Sequence, residues 1–460
     1  VWVDVPPAAH AEREVRIVVD NRFDRRRVPL LEPFFDFYAY GGLFRSVDWH
    51  EVPALSLDRA EVVTEDLAAG RIRVRVRLHG PAPARVSLRV GLDAGPAQAL
   101  PDLPVTADGT AAFALQVPEP TPWTPQHPAL HTLRVELDDD DLIERFGLRT
   151  IRADGPRLLL NNEPLKLLGY CRHESHPQFG PALPLAQLVQ DLQLLRDLGC
   201  NFIRGSHYPQ DQRFLDLCDE LGFLVWEESL GWGQKVDHFT DPAFGAAQVQ
   251  QTELMVRNSI NHPCVIFWGF LNEGDSKAPE SRPLYARLVD TIRALDRSRL
   301  VTYATNVPLD DRNLDLVDVV GANCYPGWYA SPNSAVRPLD EIVPHLHRVQ
   351  ASLKARGLDG KPLLLSEIGA GALYGWRDPL KAHWSEEYQA DYLGTVCREV
   401  LANPGIAGVA LWQFCDGRTY ANARALGRPR TFNNKGTLDE YRRPKGAYAV
   451  VKACFGGPRP

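Results

Sequence analysis

Between about Trp49 and Arg152, several short segments of the chain alternate between apolar and polar residues. The segment RIRVRVRL, residues 71–78, places every second side chain on one apolar face, and RVSLRVGL, residues 85–92, repeats this pattern. The segments AFALQV and TLRVEL follow them, separated by turns rich in Pro, Gly and Asp. A period of two over short strands at this spacing predicts an immunoglobulin-like β-sandwich over residues 49–152.

From about Ala153 the pattern changes to apolar runs that alternate with helix-like segments. Runs of this length are typical of buried parallel strands, and segments such as LAQLVQDLQLLRDLG and PHLHRVQASLKAR have the apolar spacing of amphipathic helices. The strand-like runs are LKLLGY, CNFIRGS, FLVWEES, CVIFWGF, LVTYAT, VDVVGANCY, LLLSEIG and IAGVALWQF. Eight strand–helix repeats predict a (β/α)8 TIM barrel over residues 153–460.

The first 48 residues contain extended apolar stretches and the aromatic loop FFDFYAYGGLFRSV, residues 34–47. A segment this short cannot bury a core of its own. We interpret residues 1–48 as the C-terminal part of a jelly-roll β-sandwich whose first half is missing, since the chain also begins at Val1 without Met. The expected fold class is therefore multidomain, with β-sandwich domains followed by the barrel.

Composition argues against several classes of protein. The net charge is −7 and both signs are spread along the chain, so no basic stripe is available for binding a nucleic acid. No run of about 18 apolar residues is present, which argues against a membrane span. The eight cysteines include no CxxC pair, and we expect free thiols in a reducing, cytoplasmic compartment.

Two of the apolar runs end abruptly in a carboxylate. Glu273 ends the fourth run, in FWGFLNEG, and Glu367 ends the seventh run, in LLLSEIGAG. Barrel enzymes place their chemistry at the C-terminal ends of the strands. Two carboxylates at one barrel mouth suit glycoside hydrolysis, and a separation of about 5–5.5 Å would make the mechanism retaining. The amide of Asn272, next to Glu273, is placed to bind a sugar hydroxyl near the reacting carbon.

Other polar residues end neighbouring strands. Arg204 closes the second strand, and we expect it to hold a nucleophilic carboxylate in its ionised form through charge-assisted hydrogen bonds. The alternative is an Arg–Glu pair that only orders loops. His207 follows this arginine, and Tyr325 closes the sixth strand. A metal held by His173, His176 and His207 is an alternative, but histidines at a barrel mouth more often donate hydrogen bonds to substrate.

The order of these motifs resembles that of glycoside hydrolase family 2, which includes β-glucuronidases, β-galactosidases and β-mannosidases. FFDFYAYGGLFRSV is similar to the loop that closes the family's N-terminal sugar-binding-like sandwich, and PWTPQHPALHTLRVEL resembles the closing strands of its middle sandwich. GYCRHESHPQFG and NFIRGSHYPQDQRFLDLCDELGFLVWEE resemble its first three barrel strands. The resemblance covers nearly the whole chain and implies a glycoside hydrolase.

The resemblance also implies a role for individual residues. Glu273 would be the acid/base and Glu367 the nucleophile of a double displacement, with Asn272 on the sugar 2-hydroxyl. Tyr325 would donate a hydrogen bond to the nucleophile. The residues implied to line the glycone pocket are His207, Trp412 and, in the loop from the first sandwich, Asp36.

A second motif, FNNKG at residues 432–436, bears on the substrate. It resembles the Asn-x-Lys-Gly motif with which β-glucuronidases hold the substrate carboxylate, so Asn433 and Lys435 are implied to bind a uronate. A uronate needs a charged partner, because burying a bare carboxylate is costly. The alternative is that Lys435 is a solvated loop lysine.

Two stretches depart from the typical glucuronidase pattern. NARALGRPRTF, which leads into the motif, adds Arg428 and Arg430, either of which could share the carboxylate. FWGFLNEG differs from the commoner WSxxNE form. The configuration at sugar C4 therefore stays open between a β-glucuronide and a β-galacturonide. A neutral β-galactosidase or β-mannosidase type and a non-catalytic glycan-binding relic are the remaining alternatives.

The expected partner is a carbohydrate, a β-glycoside and by the second motif a uronide, with neither a nucleic acid nor a membrane. We find no match to the magnesium ligands of the family's β-galactosidases, so we expect no metal and no other cofactor. Assembly into a homo-oligomer and the identity of the aglycone stay open.

Overall fold

The structure is a computed structural model, and it describes residues 37–329, 339–420 and 427–457, together with residues 14–22 and the single positions 3, 5, 24 and 26. Within the opening segment, the continuous described stretches are residues 14–22 and 37–48. Asp36 lies outside the described residues.

Residues 56–146 form two antiparallel sheets that share one apolar core. The strands are β1 Ser56–Asp66, β2 Arg71–His79, β3 Arg85–Leu92, β4 Gln98–Pro104, β5 Thr110–Gln116, β6 His131–Leu137 and β7 Asp140–Phe146. One sheet has the strand order β1-β2-β5 and the other has the order β4-β3-β6-β7. In β2, Ile72, Val74 and Val76 are fully buried in this core, whereas the arginines between them are more exposed. The predicted β-sandwich is confirmed.

A small antiparallel sheet lies between the sandwich and the barrel in the sequence. It consists of β8 Ile151–Asp154, β9 Arg157–Leu160 and β10 Glu163–Leu165. The boundary that we expect between residues 152 and 153 falls inside β8. The change of period seen in the sequence therefore begins with this sheet, and the first barrel strand starts later, at Leu167.

Eight parallel strands then close into a barrel, in the order in which they occur along the chain. This confirms the predicted TIM barrel. The strands are β11 Leu167–Arg172, β12 Phe202–Gly205, β13 Leu224–Glu228, β14 Val265–Asn272, β15 Leu300–Thr305, β16 Val320–Asn323, β17 Leu363–Ile368 and β18 Gly408–Leu411. A short antiparallel pair follows, β19 Gly417–Arg418 and β20 Phe432–Asn433.

Helices form most, but not all, of the connections between barrel strands. The helices are α1 Leu185–Asp197, α2 Gln212–Leu221, α3 Val236–Phe239, α4 Pro242–Ser259, α5 Arg282–Leu295, α6 Ile342–Ala355, α7 Glu386–Ala402 and α8 Gly446–Phe455. Eight strand–helix repeats are therefore not present, because the connection from β15 to β16 contains no α-helix.

A buried carboxylate explains how that connection holds its shape without a helix. Asp311 accepts hydrogen bonds from the hydroxyl of Tyr303 at 2.6 Å and from the backbone N–H of Asn313 at 2.8 Å. Its side chain also pairs with the hydroxyl of Ser276. These bonds satisfy a charge that would otherwise be costly to bury, and they tie the connection to its neighbours.

The cysteines do not form disulfide bonds. All eight cysteines are free thiols, and all except the partly exposed Cys454 are buried. Within the described ranges, no helix is both long enough and apolar enough to span a lipid bilayer.

Candidate active site

The parallel strands bring Glu273 and Glu367 to one mouth of the barrel. Glu273 directly follows β14 and Glu367 is the fifth residue of β17. Both carboxylates line a cavity of about 490 Å³. His207, Tyr325 and Trp412 line the same cavity, so five of the residues singled out from the sequence meet at one place.

Glu367 is held by two strong donors. Its side chain is buried, with 3% of the residue exposed. Arg204 donates from Nη1 to Oε1 at 2.8 Å, and the Tyr325 hydroxyl donates to Oε2 at 2.7 Å. His207 Nε2 lies 3.9 Å from Oε1. Burial and the Glu367 carboxylate raise the pKa of Tyr325 well above its ordinary value, so this hydroxyl keeps its proton and acts as a donor.

Arg204 connects three strands of the barrel at this mouth. Besides Glu367 on β17, its Nε donates to Glu228 Oε1 on β13 at 2.8 Å, and its Nη2 donates to Asn272 Oδ1 on β14 at 2.7 Å. Burial lowers the pKa of Arg204, but the carboxylates of Glu228 and Glu367 more than offset this, and its pKa is raised overall. The guanidinium therefore remains charged and fixes the orientation of its partners.

The amide of Asn272 has a defined orientation. Its Oδ1 accepts from Arg204 at 2.7 Å and from Asn323 Nδ2 at 3.1 Å. The buried Nδ2 of Asn272 has no hydrogen-bond partner among the residues that the structure describes. A buried amide with an unsatisfied donor is costly, so this N–H group is suited to a ligand that enters the cavity.

Glu273 leaves the end of β14 with an irregular backbone. The register of β14 with β15 shifts between Gly269 and Asn272, and Glu273 has a φ of 52°, in the left-handed region that few non-glycine residues adopt. Its N–H donates to Ala304 O at 2.9 Å, and Asn323 Nδ2 donates to its Oε1 at 3.0 Å. These contacts position the carboxylate at the cavity.

Aromatic rings form one side of the site. His207 stacks on Trp412, with ring centroids 5.3 Å apart and an interplanar angle of 17°. Phe37, from the opening segment, packs against His207 at 5.8 Å and against His173 at 5.1 Å. The residue next to Asp36 therefore reaches this wall.

The motif FNNKG lies close to the same cavity, with its lysine buried. Lys435 is 1% exposed, so it is not a solvated loop lysine. Its Nζ donates to the Tyr329 hydroxyl at 2.8 Å and lies 5.5 Å from the ring centre of Tyr325. The backbone N–H of Lys435 donates to Asn433 Oδ1 at 3.4 Å. Both Tyr325 and Tyr329 line the cavity, so Lys435 lies directly behind two residues of the cavity wall.

The three histidines considered as metal ligands do not form one group. Among the described residues, one group could supply three metal ligands. Asp219, His262 and Cys264 each offer one ligand atom, and these three atoms lie within 4.8 Å of one another. The two ring nitrogens of His262 already face Asp219 at 2.5 Å and Gln212 at 3.1 Å. We interpret this group as a structural hydrogen-bond network.

Among the site residues that were not singled out from the sequence, Asn323 and Tyr329 make defined contacts. Asn323 bonds both Asn272 and Glu273, and Tyr329 bonds Lys435. The only sequence signal for Asn323 is its place at the end of the sixth strand-like run. Its two contacts cross from β16 to β14, and no sequence pattern encodes them.

The chain matches two domains of one known sequence family. Residues 151–457 match glycosyl hydrolases family 2, TIM barrel domain, and residues 58–149 match glycosyl hydrolases family 2. A β-glucuronidase of Paenibacillus borealis is 28% identical over 97% of this chain and 77% of that protein. A β-glucuronidase of Homo sapiens is 29% identical over 92% of this chain and 65% of that protein.

The fold of this chain is also similar to that of solved structures. A GH2 β-galacturonidase from Eisenbergiella tayi bound to galacturonate has a TM-score of 0.86 and 35% identity, over 95% of this chain and 78% of that one. A Bifidobacterium dentium β-glucuronidase complexed with coumarin-3-O-glucuronide has a TM-score of 0.78 and 25% identity, over 88% of this chain and 67% of that one.

Proposed function

The chain belongs to glycosyl hydrolase family 2, and from this membership and the site we propose that it is a retaining exo-β-glycosidase that hydrolyses β-uronides. The observation that carries the proposal is the pair Glu273 and Glu367 on one cavity, with the buried Lys435 beside it. Relatives named as β-glucuronidases and a β-galacturonidase support the uronide class.

In the first displacement, a carboxylate oxygen of Glu367 attacks the anomeric carbon of the substrate. The bond from that carbon to the glycosidic oxygen breaks, and Glu273 gives its proton to this oxygen. The aglycone leaves as an alcohol, and the sugar stays as an ester on Glu367. Arg204 and Tyr325, which both donate to Glu367, suit a group that must attack as a carboxylate.

In the second displacement, Glu273 is a carboxylate and takes a proton from water as the water attacks the anomeric carbon. Glu367 leaves as a carboxylate, and two inversions restore the β-configuration. Asn323, which donates to Glu273, holds this side chain in position for both proton transfers. The unsatisfied Nδ2 of Asn272 is placed to donate to the sugar 2-hydroxyl, a bond that can strengthen in the transition state.

The remaining residues that we propose to contact the substrate bind its ring, its hydroxyls or its carboxylate. The stacked rings of His207 and Trp412 provide a wall for the glycone, and Asp36 is proposed to bind ring hydroxyls. Asn433 and Lys435 are proposed to bind the substrate carboxylate. A cation at this position offsets the cost of bringing a carboxylate out of water.

The retaining mechanism makes a geometric and a stereochemical prediction. We expect the carboxyl carbons of Glu273 and Glu367 to lie about 5–5.5 Å apart in a crystal structure. Proton NMR of the fresh hydrolysate should show the β-anomer of the free sugar before mutarotation. A first-formed α-anomer, or carboxyl groups about 8 Å apart, would indicate an inverting enzyme.

Replacing Lys435 by alanine should mainly remove activity on uronides. Loss of a desolvated charge-assisted contact costs about 2–4 kcal/mol, so kcat/KM on a 4-nitrophenyl β-uronide should fall by roughly 30- to 1,000-fold. Activity on the matching neutral hexoside, which has no carboxylate, should change little. The measurement is steady-state kinetics on both substrates.

The matched control for this experiment is Lys452→Ala. Lys452 is a half-exposed lysine of α8 that pairs with Asp197 at 2.7 Å, and its loss should leave both activities near wild type. Equal losses of both activities in Lys435→Ala, or a wild type that prefers neutral hexosides, would show that the enzyme is a neutral β-glycosidase.

A further inference from the structure

A buried ion pair contacts the backbone of the FNNKG motif. Asp416 lies between β18 and β19, and Lys445 directly precedes α8. Both side chains are fully buried, and Lys445 Nζ donates to Asp416 Oδ1 at 2.7 Å. Neither residue belongs to the described residues that line the cavity. A buried ion pair is costly to desolvate, so stability alone is a weak reason for one to be present.

The ion pair holds the peptide groups on both sides of Lys435. Lys445 Nζ also donates to Asn434 O at 3.2 Å, and Asp416 Oδ1 also accepts from the N–H of Gly436 at 2.9 Å. Gly436 packs so closely on the backbone of Asp416 that a side chain at position 436 would have no room. The residues before and after Lys435 are therefore each tied to one member of the pair.

A third buried side chain reaches the backbone of Lys435 itself. Gln389, on α7, directs its Nε2 to Gly436 O at 3.0 Å and to Lys435 O at 3.4 Å. The backbone N–H of Gln413 donates to Lys435 O at 3.0 Å. With its backbone held in this way, Lys435 directs its Nζ to the Tyr329 hydroxyl at the cavity wall.

Resting on the proposed uronide hydrolysis, we propose that Asp416 and Lys445 are positioning residues, which hold the backbone around Lys435 so that its ammonium meets the substrate carboxylate. A lysine is a compact charge on a flexible stem, so the place of its ammonium depends on where the stem begins. Misplacing a substrate-binding group by about 1 Å can cost on the order of 10²-fold in rate. The pair therefore controls the selectivity for uronides from outside the cavity.

The test removes both charges together, because removal of one would leave the other buried and unpaired. In the full chain, Asp416→Leu combined with Lys445→Met should lower kcat/KM on the 4-nitrophenyl β-uronide by roughly 10- to 100-fold, mainly by raising KM. Activity on the matching neutral hexoside should change by less than about threefold. Asp416→Asn, which keeps an acceptor oxygen for the Gly436 N–H, should lose less uronide activity than this double variant.

Gln389→Met is a second variant that involves no charge. Methionine keeps the length of the side chain but removes the donor to Lys435 O and Gly436 O, so uronide activity alone should fall by roughly three- to tenfold. This variant keeps the test decisive if the double variant does not fold. The control for lost stability is Leu353→Ala, in the buried face of α6, which should lower the midpoint of thermal unfolding without changing the ratio of the two activities.

Lys435→Ala shows whether the pair acts through Lys435. Once that lysine is gone, adding Asp416→Leu and Lys445→Met should not lower uronide activity further relative to the neutral hexoside, whereas independent effects would multiply. Effects that multiply, or positioning variants that lower both activities equally, overturn the inference and leave the uronide function standing. If Lys435→Ala itself is not selective for uronides, the proposed function is wrong.

Discussion

Replacement of Glu367 by glutamine is expected to reduce kcat/KM on every β-glycoside by roughly four orders of magnitude or more. Glutamine keeps one oxygen, which can accept from Arg204 as the native Oε1 does at 2.8 Å, and its amide N–H can donate to the Tyr325 hydroxyl, which now donates to Oε2 at 2.7 Å. The site should therefore remain assembled while its nucleophile is lost. The measurements are steady-state kinetics and intact mass spectrometry after incubation with a 2-fluoro uronide, which should label wild type but not the variant.

A second variant, Glu367→Gly, tests the same role with an added nucleophile. The space left by the side chain admits azide, which would attack the anomeric carbon in a single displacement. The product should be the α-glycosyl azide, since one displacement inverts the configuration. Efficient hydrolysis by Glu367→Gln without any added nucleophile would contradict the assignment of Glu367.

Replacement of Glu273 by glutamine is expected to lower turnover by an amount that depends on the leaving group. General acid catalysis contributes about 10²- to 10⁴-fold, so hydrolysis of alkyl β-uronides should fall by that factor. Aryl uronides with acidic phenols need little protonation, and the first displacement should persist on them. The 2-fluoro uronide should therefore still label Glu367 in this variant.

Azide also distinguishes Glu273 from the nucleophile. In Glu273→Gln, azide would attack the sugar ester already formed on Glu367, and two displacements give the β-glycosyl azide. A rate loss that is the same for alkyl and aryl substrates, or an α-azide product, would show that Glu273 is not the acid/base. The same assay thus gives opposite stereochemical results for the two carboxylates.

The local pattern of apolar and polar residues was sufficient to predict the fold class and to place Glu273 and Glu367 at the barrel mouth. The alternation in residues 71–78 predicted a strand whose valines face a core, because successive side chains of a strand point to opposite faces. Apolar runs that end in Glu273 and Glu367 placed both residues at the barrel mouth, because parallel strands end on one side of the barrel. These inferences need only the period of the chain and the geometry of a strand.

Family-like motifs extended the sequence analysis to Asn272, Tyr325 and Lys435. The structure then supplied contacts that those motifs do not contain. Tyr325 donates to Glu367, and the amide of Asn272 is oriented by Arg204. Lys435 is buried against aromatic rings. The roles proposed for these residues depend on such contacts.

The sequence did not predict that one helix of the strand–helix repeat is missing. The connection between β15 and β16 contains no helix, and its buried Asp311 bonds Tyr303 on β15, Asn313 in the connection and Ser276 just after β14. A stabilising network of this kind joins residues that lie on different parts of the chain. Apolar periodicity carries no information about it.

The sequence by itself determined that a sandwich precedes a parallel barrel and that two carboxylates end strands at one mouth of that barrel. The sequence could not show which of Arg428 and Arg430 faces the cavity, since the two arginines carry the same charge and lie two residues apart in one loop. Packing decided that Arg428 faces the cavity while Arg430 pairs with Glu440. The physical reason is that a side chain's partners come from other strands and loops, and only the closed barrel brings those together.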